Sequence, residues 1–147
     1  MTILIVVKSK GNGNTMQIAE AMAEAVSATI TSLEDVNKYK LERYDLIGLG
    51  SGIFLGKHYK ELISFAKTLN NKNYFVFSTS GYNNLKTVNE ALVKLLEAGG
   101  KTVLGDFACR GVFLGKNKGH PNSDDFDNAQ SFISEIVEKY SQIGNYS

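Results

Sequence analysis

Strand-like apolar runs alternate with helix-like apolar stripes along the chain, and this alternation constrains the fold more than any other feature of the sequence. Residues 3–7 form a continuous run of Ile, Leu and Val, which is typical of a strand buried on both faces. Ile18, Met22 and Ala25 then recur at the spacing of one helix face. Such alternation predicts parallel strands joined by right-handed crossovers, with helices on both faces of the sheet.

Further strands follow the first one at regular intervals. They are predicted at residues 29–33, 44–50, 74–78 and 102–108, and apolar stripes within 62–69, 88–96 and 126–140 mark the later helices. The segment 36–43 is either a short helix or only a connection. Five strands in this pattern favour the order 2-1-3-4-5, which places a ligand crevice at the carboxyl ends of strands 1, 3 and 4. The chain shows no linker or repeat, so we expect one doubly wound α/β domain over residues 1–147.

Charge and cysteine content exclude several classes of protein. The 16 Lys and Arg residues balance 15 Asp and Glu residues, so no basic nucleic-acid face is indicated. The N-terminal apolar run is too short to span a bilayer and follows no basic leader, so no membrane contact is expected. The single cysteine, Cys109, fits a reducing cytoplasm and is expected to be a buried small residue. We therefore expect a cytoplasmic monomer, and no spacing of His, Cys and carboxylates predicts a metal site.

A loop rich in small residues links the first strand to the first helix. Its glycines let backbone N–H groups turn inward, and the start of the helix adds unpaired N–H groups and a partial positive charge. Ser9 and Thr15 can add hydroxyl hydrogen bonds. The loop therefore predicts a phosphate site, although it could also serve only to cap the helix. The candidate residues are Ser9, Lys10, Gly11, Asn12, Gly13, Asn14 and Thr15.

The loop sequence narrows the choice of phosphate ligand. The Gly-Lys-Ser/Thr tripeptide of Walker-type nucleotide binding does not occur in this loop. A dinucleotide fingerprint begins with Gly11-x-Gly13, but Met16 stands where a third small residue is needed. Glu34 or Asp35 lies where a ribose-binding acid belongs, so the dinucleotide alternative is weakened and stays open. A phosphorylated receiver domain needs acids after strand 1 and at the end of strand 3, and neither place holds one.

Four segments of the chain resemble the flavodoxin family. Gly13-Asn14-Thr15 is similar to the end of its phosphate loop, and residues 44–52 are similar to the strand that leads into its flavin loop. Residues 77–81 and 119–125 extend the resemblance over nearly the whole chain. The resemblance implies a flavodoxin-like fold and bound FMN. It also implies electron transfer between redox partner proteins, a reductase and an electron acceptor, with no residue acting as general acid, base or nucleophile.

By the same resemblance, the loops after strands 3 and 4 are expected to hold the isoalloxazine ring. Phe54 and Tyr82 are the candidates for an aromatic wall that stabilises the flat ring by burial and stacking. Gly52 or Gly56 would let a peptide reorient against the flavin N5, because glycine accepts a positive φ at low cost. The flavin-binding candidates are Ser51, Gly52, Ile53, Phe54, Gly56, Ser78, Thr79, Ser80, Gly81 and Tyr82.

Other residues carry weaker signals. His58 shows no acid or nucleophile partner in the sequence, so a capping or surface role is expected. The connection 110–122 is long for a βα loop and either covers the flavin edge, forms a partner surface or is passive. The chain has a net charge of only +1, so whole-molecule charge is not expected to guide redox partners. Docking of these partners is expected to use an apolar rim of Phe54, Tyr82 and Phe113. A local acidic patch is the alternative, and Asp124, Asp125 and Asp127 would supply part of it.

Two other functions remain open from the sequence. The first is a small flavodoxin-like FMN-dependent reductase that acts on a quinone or porphyrin-type substrate, which needs room beside the flavin for a second planar molecule. The second is a non-redox module that keeps the fold and binds another phosphate ligand or a protein. Whether the chain is an enzyme is therefore left open.

Overall fold

The computed structural model describes residues 1–11, 13–81, 84–112, 115 and 117–144, and it shows strands and helices in alternation. Parallel strands form one sheet in the order β2-β1-β3-β5-β6, and a short strand, β4, pairs with β3 from outside this path. Apart from β4, this is the predicted order 2-1-3-4-5, so the predicted α/β architecture is confirmed. The strands are β1 (Ile3–Lys8), β2 (Thr29–Ser32), β3 (Leu46–Phe54), β4 (Lys57–His58), β5 (Asn73–Ser80) and β6 (Thr102–Arg110). The helices are α1 (Asn14–Val26), α2 (Lys60–Ala66), α3 (Glu90–Ala98) and α4 (Ser123–Gly144).

Alternate side chains of the central strands enter two separate apolar layers. In β1, Ile3, Ile5 and Val7 pack on one face with α1 and α4. Leu4 and Val6 lie on the other face, in the layer that α2 and α3 cover. This division follows from the two-residue side-chain period of a strand, and it explains why the first strand is a continuous apolar run.

Two glycines of β3 make room for aromatic rings of the neighbouring strand. Gly48 pairs with Phe75 and Gly50 pairs with Phe77 in the parallel register. A β-carbon on either glycine would lie 2.2 Å from the nearest ring atom, a distance that no real contact allows. The Gly-Leu-Gly pattern of the third strand is thus a packing requirement of the core.

The β3–β4 hairpin was not predicted from the sequence. β3 runs on to Phe54, and β4 returns antiparallel, with Ile53 opposite His58 and Phe54 opposite Lys57. Leu55 and Gly56 form the turn, with φ angles of 52° and 79°. The hairpin reverses the chain and leads it into α2, at the carboxyl-end edge of the sheet where a ligand crevice was predicted.

The uncertain segment 36–43 holds the end of one 3₁₀ helix, Leu33–Lys38, a two-residue connection and the whole of a second 3₁₀ helix, Leu41–Arg43. Ser32 caps the first of them by accepting a hydrogen bond from the Asp35 N–H at 3.2 Å. Within the described residues, no helix is both long and apolar enough to cross a membrane.

Candidate functional site

A cleft of ≈ 250 Å³ opens at the carboxyl ends of β1, β3, β5 and β6. It lies where the strand order reverses, which is the usual ligand position in an open parallel sheet. The predicted residues that line it are Lys10, Gly11, Asn14, Thr15, Gly52, Ile53, Thr79, Ser80 and Gly81, and sequence reasoning missed Tyr59, Gly111 and Val112. The fold thus brings the first-strand loop to the loops that follow β3 and β5.

The first-strand loop has the geometry of an anion cradle. Gly11 and Gly13 adopt φ angles of 61° and 71°, and α1 begins directly after Gly13. The amides of the first helical turn therefore face the loop without intrahelical partners. The Ser9 hydroxyl oxygen is buried and has no hydrogen-bond partner among the described residues. A buried hydroxyl of this kind costs free energy unless a ligand or water satisfies it.

A hydroxyl pair joins the start of α1 to the end of β5. The Thr15 and Thr79 Oγ1 atoms lie 2.8 Å apart, and either can donate the hydrogen bond. Both residues are buried, and both line the cleft. One hydroxyl hydrogen of the pair is therefore left for a ligand oxygen.

A second contact ties the loop to the segment after β6. The Asn14 side chain donates to the Val112 carbonyl at 3.0 Å. Gly111 lies so close that a β-carbon there would be 2.7 Å from Asn14 Nδ2. The first part of the long connection 110–122 is thus held against the first-strand loop, at the mouth of the cleft.

Tyr59 forms the wall of the cleft on the hairpin side. Its hydroxyl occupies the space that a β-carbon of Gly52 would need, at 2.3 Å. Burial raises the pKa of this phenol above its usual value, and nearby Glu61 acts in the same direction. The Lys10 ammonium lies 4.4 Å from the centre of the Tyr59 ring and 3.7 Å from the Glu61 carboxylate. Tyr59, three positions past the hairpin turn, carried no periodic signal in the sequence.

The expectation of a capping or surface role for His58 is wrong. Only 3% of the residue is exposed, and α2 begins after it, with Tyr59 at the cap position. Its Nδ1 lies 2.8 Å from the Ser51 hydroxyl, and its Nε2 lies 2.7 Å from the Asn89 side-chain oxygen. Ser51 lies on β3 and Asn89 lies 31 residues further along the chain, so these contacts could not be predicted from the sequence.

Burial and hydrogen bonding together assign the neutral form of this imidazole. The Asn89 amide nitrogen donates to Asp106 and to the Phe107 carbonyl, each at 3.0 Å. The Asn89 oxygen is then an acceptor, so His58 Nε2 carries the proton. In the neutral ring Nδ1 has no proton and accepts from the Ser51 hydroxyl, which also lies 2.7 Å from the Gly52 carbonyl. Burial lowers the pKa of His58 from 6.5 to about 4, against the opposing effects of Asn89 and Asp106.

The remaining predicted site residues lie around the cleft rather than on its surface. Ser9 and Gly13 belong to the loop behind the lining, and Ser51 and Ser78 are fully buried in the sheet. Phe54 is 64% exposed, and Gly56 lies at the hairpin turn. Asn12, Tyr82 and Phe113 lie outside the described residues.

Two smaller expectations concern the thiol and metal ligands. Cys109 is buried, as expected, and burial raises the pKa of its thiol to about 12. In the part of the chain that the structure describes, no group of three or more His, Cys, Asp and Glu side chains is placed to hold a metal ion.

Comparison with known proteins agrees with this geometry. The structure superposes on a flavodoxin from the domain Archaea with a TM-score of 0.70 and 18% identity, covering 96% of this chain and 99% of that one. It superposes on oxidised flavodoxin 2 from Bacillus cereus with a TM-score of 0.73 and 17% identity, covering 95% and 99%. At these identities the two structures show the fold alone.

Sequence comparison adds a nearer relative and a family. An uncharacterized protein of Methanocaldococcus jannaschii is 38% identical over 148 residues, which cover 93% of this chain and 99% of the relative. The family model described as "Flavodoxin domain" matches residues 4–116. This match includes the first-strand loop, the hairpin, the loop after β5 and the first part of the segment after β6. The chain therefore belongs to the flavodoxin family.

Proposed function

We propose that the protein binds FMN without a covalent bond and carries electrons between a reductase and an acceptor protein. The observation that carries the proposal is the cradle at the start of α1, with two left-handed glycines, unpaired first-turn amides and the Thr15–Thr79 hydroxyl pair. Family membership suggests a flavin cofactor, and the cradle favours a flavin that ends in a phosphate.

The residues of the cleft and of the loop directly behind it fit a phosphate ester. The Ser9 hydroxyl has no partner among the described residues, and the Thr15–Thr79 pair has one hydroxyl hydrogen to give. These donors and the helix amides would hold the phosphate dianion by charge-assisted hydrogen bonds. The cofactor, once bound, supplies the redox chemistry, and the chain contributes binding, orientation and exclusion of water.

The remaining residues of the lining would hold the rest of the cofactor. Gly52 and Ile53 reach the cleft from β3, and Thr79, Ser80 and Gly81 reach it from β5. Tyr59 adds an aromatic surface that sequence reasoning had sought in Phe54. Backbone groups and small side chains of this kind let a flat ring approach closely.

The buried hydrogen-bond chain favours an electron carrier over an enzyme with its own nucleophile. The Ser51 hydroxyl lies 2.8 Å from His58 Nδ1, but none of the surface of Ser51 is exposed. His58 is equally enclosed, and it is neutral at physiological pH because burial lowers its pKa to about 4. This pair therefore holds the hairpin in place and does not face the cleft. The proposed carrier is a cytoplasmic monomer.

An electron-relay assay tests the proposal. The FMN-loaded chain, an NADPH-dependent flavoprotein reductase and a c-type cytochrome are combined, and cytochrome reduction is followed. We expect reduction that is proportional to the amount of loaded chain and absent with chain that has been stripped of FMN. Oxidation of NADPH by a quinone with the chain alone would instead indicate the reductase alternative.

A further inference from the structure

A second depression, of ≈ 710 Å³, lies beside the cleft between the β3–β4 hairpin and α2. We call it the hairpin groove and define it by Phe54, Leu55, Lys57, Lys60 and Ile63. It meets the cofactor cleft at Lys10 and Tyr59, which line both. A molecule seated in the groove would therefore be one side chain away from the proposed flavin.

The rim of the groove exposes two large apolar side chains next to each other. Phe54 is 64% exposed and Leu55 is 76% exposed. The other large apolar residues exposed in the described part of the chain, Met1 and Ile143, lie near the two ends. Leu55 also adopts a φ of 52°, a conformation that is unfavourable for a residue with a β-carbon. Neither side chain contributes to the core, so this tip is suited to contact with another molecule.

The charge around this tip is positive. Lys57 and Lys60 are exposed, and neither forms an ion pair with any residue that the structure describes. Lys10 is different, because Glu61 lies 3.7 Å away and offsets its charge. The net charge of the whole chain is only +1, so the positive charge of the groove is a local feature that the net charge does not reveal.

We propose that the hairpin groove is the docking face for an acidic redox partner protein, whose carboxylates meet Lys57 and Lys60 while Phe54 and Leu55 enter an apolar contact. The proposal rests on the proposed electron-carrier function and names the partner class. It replaces the expected charge-free rim with a local basic patch. It also differs from the acidic patch expected around residues 124–127, where the structure places Asp125 against His120 at 2.8 Å.

Charge and shape favour this occupant over two others. A symmetric dimer through the groove would bring the lysines of one copy toward those of the other, and like charges at an interface are unfavourable. A small anion would leave Phe54 and Leu55 in water, because both project from the hairpin tip. A protein surface with carboxylates around an apolar centre satisfies both parts of the groove.

The test compares two lysine pairs. The Lys57→Glu/Lys60→Glu variant reverses the groove charge, and Lys72→Glu/Lys94→Glu makes the same change in net charge at exposed lysines that do not line the groove. Each reduced, FMN-loaded protein is mixed in stopped flow with an acidic b-type cytochrome or with a basic c-type cytochrome. Rates are measured from 0.01 M to 0.15 M salt.

For the unmodified chain we expect the rate with the acidic cytochrome to fall about tenfold over this salt range. The groove variant should start about tenfold slower and lose the salt dependence, while the control pair stays within about twofold of the unmodified chain. The proposal would be overturned by an equal loss of rate in both variants or by a rate of the unmodified chain that does not change with salt. A faster, salt-dependent rate with the basic cytochrome would also overturn it. Concentration-dependent dimerisation lost in the groove variant would assign the groove to a second copy instead.

A binding measurement separates this proposal from the flavin proposal. The ¹⁵N-labelled chain is titrated with the acidic cytochrome carrying zinc in place of iron, with and without added FMN. Shifts of the amides of residues 54–63 that vanish in the groove variant support the docking face whether or not flavin is bound. Absence of FMN uptake would refute the cofactor, and absence of these shifts would refute the docking face.

Discussion

At the scale of single residues, the proposed phosphate site depends on one hydroxyl pair. Thr15 and Thr79 share a hydrogen bond of 2.8 Å inside the cleft wall. The shared hydrogen satisfies one oxygen and leaves the other hydrogen free to point at a ligand. The pair thus joins α1 to β5 and can also donate to a ligand. Substitutions of Thr15 that remove or keep the hydroxyl separate these two roles.

Thr15→Ala should weaken FMN binding by about 1.5–3 kcal/mol, because it removes a hydroxyl donor to a charged acceptor. Riboflavin lacks the phosphate, so its weaker binding should change little. Thr15→Ser keeps the hydroxyl and is the matched control. Titration of the apoprotein with each flavin, followed by flavin fluorescence, gives the affinities. Equal weakening of both flavins by the Ala variant would show that Thr15 acts through the fold alone.

His58 is the other residue whose behaviour follows directly from its contacts. It is enclosed between Ser51 and Asn89 in its neutral form, whereas in the unfolded chain it accepts a proton near pH 6.5. Between pH 6.5 and about 4 the unfolded state therefore binds more protons than the folded state. Under proton linkage, the contribution of this group to stability is complete above pH 6.5 and is lost as the pH falls toward 4.

The free energy of unfolding should thus decrease through this window by a contribution on the order of 3 kcal/mol from His58. Urea unfolding at a series of pH values measures it. The His58→Gln variant should lose this part of the pH dependence, and a variant at the other histidine, His120→Gln, should retain it. The same slope in the His58 variant and the unmodified chain would contradict a buried neutral imidazole.

At the scale of elements, the β3–β4 hairpin is where local preference and structure disagree most. Its turn places Leu55 at a φ of 52° and Gly56 at 79°. Glycine occupies such a position without penalty, whereas a residue with a β-carbon is strained there. The strain is local to an exposed turn, so it can be removed without disturbing the core.

Leu55→Asn should raise the free energy of unfolding by about 1 kcal/mol, because Asn tolerates the left-handed conformation. Gly56→Ala should lower it by at least about 1 kcal/mol for the converse reason. Leu55→Ala keeps a β-carbon and removes only exposed surface, so it serves as a neutral control. Urea unfolding of the FMN-free proteins measures all three, and a stabilising Gly56→Ala would refute the turn conformation.

The same hairpin shows how far the sequence could predict the molecule. The five parallel strands were predictable because long apolar runs and helical stripes are periodic. β4 was not, since it has two residues and its Leu-Gly turn is not a typical hairpin dipeptide. β3 continues past the cleft to the hairpin turn, so Gly52 and Ile53 line the cleft and Phe54, the last residue of the strand, lies exposed outside the lining. The phosphate loop was predictable because its residues are contiguous, whereas the His58 contacts are not.

At the scale of the whole molecule, the cleft exists only when the sheet is assembled. The Thr15–Thr79 bond joins residues 64 apart, and the Asn14–Val112 bond joins residues 98 apart. A ligand that bridges these loops binds the folded chain and not the unfolded one, so it must stabilise the fold. The charge distribution is also a property of the whole molecule. The net charge is only +1, but Lys57 and Lys60 form no ion pair with the described residues and lie together at one end of the sheet.

The central claim is that this cleft holds FMN, and identification of the bound cofactor tests it most directly. The protein is purified, its visible spectrum is recorded, and the molecule that acid releases is identified by chromatography and mass. We predict a yellow protein that releases FMN at about one molecule per chain. Release of FAD or NAD, or a colourless chain that takes up no FMN when it is added, would contradict the account.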